Sequence, residues 1–158
     1  MKTNPTKEQE NSTKRFVVDT NVLVAAIKPF SKPSRSGLEG TKSLQLLVHL
    51  IEDDGIVLHG NPILLEEYRR FSNELRSKTS ELILKQLLSK VRIVPIREEA
   101  LTLCRVYLPE NESADMVHAC TCLVSGAVLI TNDGDFDKIR HSRIITVWSV
   151  AEAIRRML

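Results

Sequence analysis

Four acidic residues, Asp19, Glu67, Asp115 and Asp133, each stand where an apolar segment ends or turns a face inward. Carboxylates drawn together in apolar surroundings repel one another, and each raises the pKa of the next unless a cation neutralises them. The chemistry expected of such a set is that of a hard divalent ion. Oxygen-only ligands suit Mg²⁺ or Mn²⁺ better than zinc, which selects histidine and cysteine.

Asp19 follows the run Phe16-Val17-Val18 and precedes Val22-Leu23-Val24, which puts it at the carboxyl end of a strand and ahead of a helix. Ligands of open parallel sheets gather there, and a helix N-cap is the alternative role. Asn21 either orients Asp19 or finishes the turn. The next acid is chosen between Glu66 and Glu67. Asn61-Pro62 reads as an N-cap followed by an N1 proline, and Leu64, Tyr68, Phe71 and Leu75 form one apolar stripe. Glu67 flanks that stripe, whereas Glu66 points away with Arg70 four residues ahead as an ion-pair partner. Glu67 is the metal candidate, with a partly buried structural carboxylate as its alternative.

Asp115 opens a segment, Ser113 to Val124, that is apolar on almost every side and therefore central. The helix dipole favours an acid in that first turn. His118, one turn on, could contact Asp115 or substrate, but a satisfied packing role is the preferred reading. Asp133-Gly134-Asp135 follows the apolar run Ala127 to Ile130 and could be a surface turn. It lacks the terminal Glu and the further oxygen ligands of a helix-loop-helix calcium site. Asp133, nearest the strand end, is the expected ligand, with Asp135 auxiliary and Asp137 facing solvent. Thr131 and Asn132 offer a hydroxyl and an amide to position phosphate or water.

The elements that must position these groups alternate along the chain. Strands are expected near residues 15–19, 56–59, 91–94, 127–130 and 144–147. Helices are expected over 20–27, 41–54, 61–71, 79–90, 97–107, 113–125 and 149–158. Alternation of this kind implies an α/β fold with a parallel sheet covered by helices. Residues 1–14 are polar and aperiodic and read as a tail, leaving 15–158 as one domain. Residues 28–40, rich in Pro, Ser and Gly, form a loop that is either a lid or an insertion.

A net charge of +2 gives no global signal for a polyanion, so nucleic acid would have to be met by local basic clusters. Candidates are Lys28, Lys32 and Arg35, then Arg69, Arg70, Arg76 and Lys78, then Lys138, Arg140, His141 and Arg143. Three cysteines, Cys104, Cys120 and Cys122, fit small core residues in a reducing compartment. No apolar run reaches a membrane span and no signal-peptide core is seen, so no membrane association and a cytoplasmic location are expected.

The segments Val18-Asp19-Thr20-Asn21-Val22-Leu23, Leu64-Leu65-Glu66-Glu67-Tyr68, Ala114-Asp115-Met116-Val117-His118-Ala119 and Thr131-Asn132-Asp133-Gly134-Asp135-Phe136, in this order, resemble those of the PIN-domain ribonucleases. The resemblance implies a three-layer α/β/α fold around a parallel sheet of about five strands. It implies that Asp19, Glu67, Asp115 and Asp133 line a cleft binding Mg²⁺ or Mn²⁺ for hydrolysis of RNA. The family includes toxins of toxin-antitoxin pairs, so an antitoxin protein and a homodimer are the partners it implies. The rival from another class is a noncatalytic PIN-like module that binds RNA or protein. A phosphoaspartyl phosphatase is disfavoured, because its second Asp is replaced by Asn21.

Overall fold

The computed structural model describes residues 14–30, 38–109 and 113–158. Five strands form one sheet: β1 (Arg15–Val18), β2 (Val57–Gly60), β3 (Val91–Ile93), β4 (Val128–Ile130) and β5 (Val147–Trp148). All pairings are parallel and the spatial order is β3-β2-β1-β4-β5. The chain therefore leaves β1 in one direction to build β2 and β3, then returns to lay β4 along the opposite side of β1. A crevice opens at the carboxyl ends of two strands from which the chain departs in opposite directions. Asp19 directly follows β1 and Thr131 directly follows β4, so sheet order alone brings these two distant segments to that crevice.

Eight α-helices among the described residues cover the sheet: α1 (Thr20–Ile27), α2 (Leu38–Glu52), α3 (Pro62–Leu75), α4 (Lys78–Lys90), α5 (Glu98–Arg105), α6 (Ser113–Ser125), α7 (Asp137–Ser142) and α8 (Val150–Met157). The three-layer α/β/α architecture read from the sequence is the one observed. Strands with a fully buried pattern, such as Val128-Leu129-Ile130, are apolar throughout because both faces are covered. Phe16, Leu23, Leu47, Leu58, Leu64 and Leu129 lie at the centre of the core. Each such side chain contributes about 1.5–3 kcal/mol relative to exposure.

Local signals set the helix ends near the crevice. Asn61 caps α3, its Oδ1 accepting from the Leu64 amide at 2.9 Å, and Pro62 fills the first turn. Arg76 ends α3 in the left-handed region at φ 46°, and Ser77 at once caps α4, which makes a tight joint between the two helices. The buried Tyr68 hydroxyl donates to the carbonyl of Val18 and so ties α3 to the residue before Asp19. A Cβ at Gly60 would meet Val91 Cγ1 at 2.8 Å, so glycine at the end of β2 lets β3 lie close beside it.

Several expectations need revision. The helix expected over 41–54 runs Leu38–Glu52, and Lys28–Phe30 forms a 3₁₀ turn within the proposed 28–40 loop, whose residues 31–37 lie outside the described part. The proposed tail also lies outside it, except for Lys14, whose carbonyl accepts from the Val57 amide at 2.8 Å. Gly134–Phe136 and α7 are helical turns too short for a periodic signal. Among the described residues no helix is long and apolar enough to cross a membrane.

Candidate metal centre

Asp19, Glu67, Asp115 and Asp133 all line one cleft of about 500 Å³, together with Thr20, Asn21, Val24, Ala25, Lys28 and Phe71. Four residues spread over most of the sequence thus meet at the crevice between β1 and β4. Within the cleft they form two groups rather than one. Asp19, Glu67 and His118 present ligand atoms within 4.8 Å of one another, and so do Asp115, Asp133 and Asp135.

Asp19 lines the cleft and also caps the helix that follows it. Its Oδ1 accepts from the Thr20 amide at 2.8 Å and caps α1, while its Oδ2 accepts from the Thr131 hydroxyl at 2.7 Å. Burial raises its pKa, against hydrogen bonds and the nearby His118 that lower it. Thr131 is fully buried and receives the Asp133 amide at 3.0 Å and, more weakly, Asn21 Nδ2 at 3.4 Å. Expected to position phosphate or water, Thr131 is enclosed and instead aims Asp19 and ties the two strand ends together. Asn132 Oδ1 accepts from the Val150 amide at 3.1 Å, which anchors α8 and does not line the cleft. Asp133 starts the 3₁₀ turn, its Oδ1 accepting from the amide of the exposed Asp135 at 2.9 Å.

Glu67 rather than Glu66 faces the cleft, as the apolar stripe predicts; Glu66 is exposed. The expected Glu66–Arg70 ion pair does not occur among the described residues. Arg70 lies instead over the Phe71 ring, 5.2 Å from its centroid, because the aromatic face offers its guanidinium a partner on the same helix. Both Glu67 oxygens are held: Oε2 accepts from the Thr20 hydroxyl at 2.5 Å and Oε1 lies 3.1 Å from His118 Nε2. Burial pushes the Glu67 pKa up, but the His118 and Thr20 hydrogen bonds outweigh it and the net shift is downward.

His118 is the residue that sequence reasoning undervalued. It is 0% exposed, yet it touches Glu67 and stands beside Asp19 and Glu67 rather than serving only to pack. Its Nδ1 lies 3.1 Å from Asn61 Nδ2, which also donates to Thr121 Oγ1 at 3.0 Å. The Asp115-to-His118 spacing of one helical turn was the only hint, since it places both at the cleft end of α6. With both ring nitrogens engaged, the ligand set left facing the cleft is carboxylate oxygen, a donor chemistry that fits a hard divalent cation.

Of the basic candidates, Lys28 reaches the cleft. Arg70 and Arg76 line a separate depression with Glu66, Asn73 and Glu74. Lys32 and Arg35 lie outside the described residues.

An α/β/α fold with acids gathered at the switch point of a parallel sheet is the arrangement of the PIN domain, and the sequence model of that family matches residues 16–142. The chain belongs to the PIN domain family, whose members are generally nucleases that use divalent metals. Among solved structures it is similar to a chain of VapBC2 from Rickettsia felis bound to a DNA fragment from their promoter, with a TM-score of 0.54 and 19% identity over 85% of this chain and 98% of that one. That likeness is one of fold. No curated protein matches the sequence.

Proposed function

We propose that this protein is a metal-dependent endoribonuclease that hydrolyses RNA phosphodiester bonds. The observation that carries the reading is the convergence of Asp19, Glu67, Asp115 and Asp133 on one cleft, with Asp135 beside them. Asp19 and Glu67 would hold one divalent ion, Mg²⁺ or Mn²⁺, and Asp115, Asp133 and Asp135 a second. Bound ions of this kind supply Lewis acidity to the phosphate and lower the pKa of an attacking water. The protein's own part is to hold the carboxylates ready. Thr131 aims Asp19, Thr20 and His118 fix Glu67, and the α6 dipole favours charge at Asp115. Lys28 at the cleft wall is placed to meet a phosphate, and Asn21 to position substrate or water. Phosphate contacts of this type supply affinity without sequence choice.

The family resemblance and the fold shared with VapBC2 support a toxin of a toxin-antitoxin pair with an antitoxin protein as partner, and the family resemblance alone implies a homodimer. The test is cleavage of a single-stranded RNA with Mn²⁺. Asp19→Ala and Asp133→Ala are each expected to abolish cutting while leaving the circular dichroism spectrum unchanged. If both variants cut as fast as the parent, the site is wrongly assigned. A noncatalytic module would show no carboxylate-dependent Mn²⁺ affinity by calorimetry.

A further inference from the structure

The hydrogen bonds behind Glu67 form a chain whose direction can be read donor by donor. The Leu64 backbone N–H can only donate, so the Asn61 atom it reaches at 2.9 Å is the amide oxygen. The other Asn61 atom is therefore its NH₂ group. One of its hydrogens goes to Thr121 Oγ1, whose own proton is donated to the Val117 carbonyl at 2.9 Å. The second is left for His118 Nδ1, which must accept it with a lone pair. A histidine whose Nδ1 accepts carries its proton on Nε2 and donates from there, here to Glu67 Oε1 at 3.1 Å. Every polar atom in this relay is satisfied, which is the condition for a buried polar network to hold one arrangement. Asn61 and His118 are both 0% exposed, so neither meets substrate.

We propose that Asn61 and His118 are positioning residues: Asn61 selects the Nε2–H tautomer of His118, and His118 with Thr20 holds the Glu67 carboxylate aimed into the cleft. The inference rests on the metal-dependent reading of the site. One lone pair on each Glu67 oxygen is taken by His118 or Thr20, and the pair remaining on each oxygen is available to a cation. The same Asn61 caps α3, the helix that carries Glu67, so helix start and carboxylate aim are set by one side chain.

The test uses the full chain and separates the two edges of the imidazole. In His118→Gln the amide nitrogen replaces Nε2 and keeps the donor to Glu67 but loses the acceptor for Asn61. In His118→Asn the acceptor remains and the donor falls short of Glu67. His118→Asn is expected to weaken Mn²⁺ binding in calorimetry by about 10–100-fold, the usual cost of losing a partner that orients a metal ligand, while His118→Gln stays within about threefold of the parent. A purely packing role would move both variants alike. A second readout needs no metal: long-range ¹H–¹⁵N spectra of the imidazole in the metal-free parent are expected to show the Nε2–H tautomer. In Asn61→Ser, which keeps a helix cap but cannot reach His118, the Nε2–H share is expected to fall although Glu67 still favours it, and an unchanged share overturns the part given to Asn61. An Nδ1–H tautomer in the parent, or equal Mn²⁺ affinity in His118→Asn and His118→Gln, overturns the proposal. A parent with the Nε2–H tautomer but no Mn²⁺ affinity overturns the metal-dependent reading, and the positioning role falls with it.

Discussion

Asp19 and Glu67 sit side by side, yet their surroundings push them in opposite directions. Burial leaves the Asp19 pKa above its ordinary 3.8, so the folded protein holds that proton more tightly than the unfolded chain. Its contribution to stability is therefore present below pH 3.8 and is lost as pH rises through the raised value. Glu67 behaves in the opposite sense, contributing stability above its ordinary 4.5 and losing it as pH falls through its lowered value. Keeping Asp19 ionised in the metal-free protein thus costs stability. Asp19→Asn retains a good helix cap and is expected to stabilise the metal-free protein by about 0.5–2 kcal/mol at neutral pH, with the gain fading toward acid. Urea denaturation in EDTA across pH measures it, and a variant weaker than the parent at neutral pH contradicts the account. At the same scale the three thiols are buried and free. Burial pushes Cys104 up to about 11 and Cys122 well above its ordinary value. Native protein should therefore resist iodoacetamide, with labelling that tracks unfolding in urea.

Among the elements, those bounded by caps or closed by burial were the legible ones. The bounds of α1 and α6 match the expected 20–27 and 113–125, and Asn61-Pro62 marked the start of α3. The stripe Leu64, Tyr68 and Phe71 correctly turned Glu67 rather than Glu66 toward the interior. What stayed hidden depends on contacts between elements. Nothing in the spacing of one sequence ties Asn61 to His118 across 57 residues, or Thr20 to Glu67 across 47. The six residues of α7 are too few to show a period, and β5 is only two residues long. Close approach is likewise invisible until strands are placed beside each other, as at Gly60. Gly60→Ala must push Val91 aside and is expected to cost about 1–3 kcal/mol in thermal or urea unfolding. Unchanged stability would show that β3 yields freely.

At the scale of the whole molecule, a cation that binds the folded cleft and not the unfolded chain must stabilise the fold. Mn²⁺ at about a hundred times its Kd adds roughly 2.7 kcal/mol. That is a rise in Tm of about 5–10 °C for a chain of this size. Scanning calorimetry with and without EDTA checks it, and Asp19→Ala should lose most of the rise. The sheet order carries one more consequence. β1 forms first in the chain but pairs on one side with β4, and the Thr131–Asp19 hydrogen bond closes a span of 112 residues. Such distant pairing delays completion of the sheet until β4 has been made. The acids therefore cannot meet before the segment through Asp133 has left the ribosome, and a fragment broken off ahead of Val128 contains neither the strand nor the aspartate that complete the cleft. Termination ahead of Val128 should therefore yield a piece that cannot assemble the cleft.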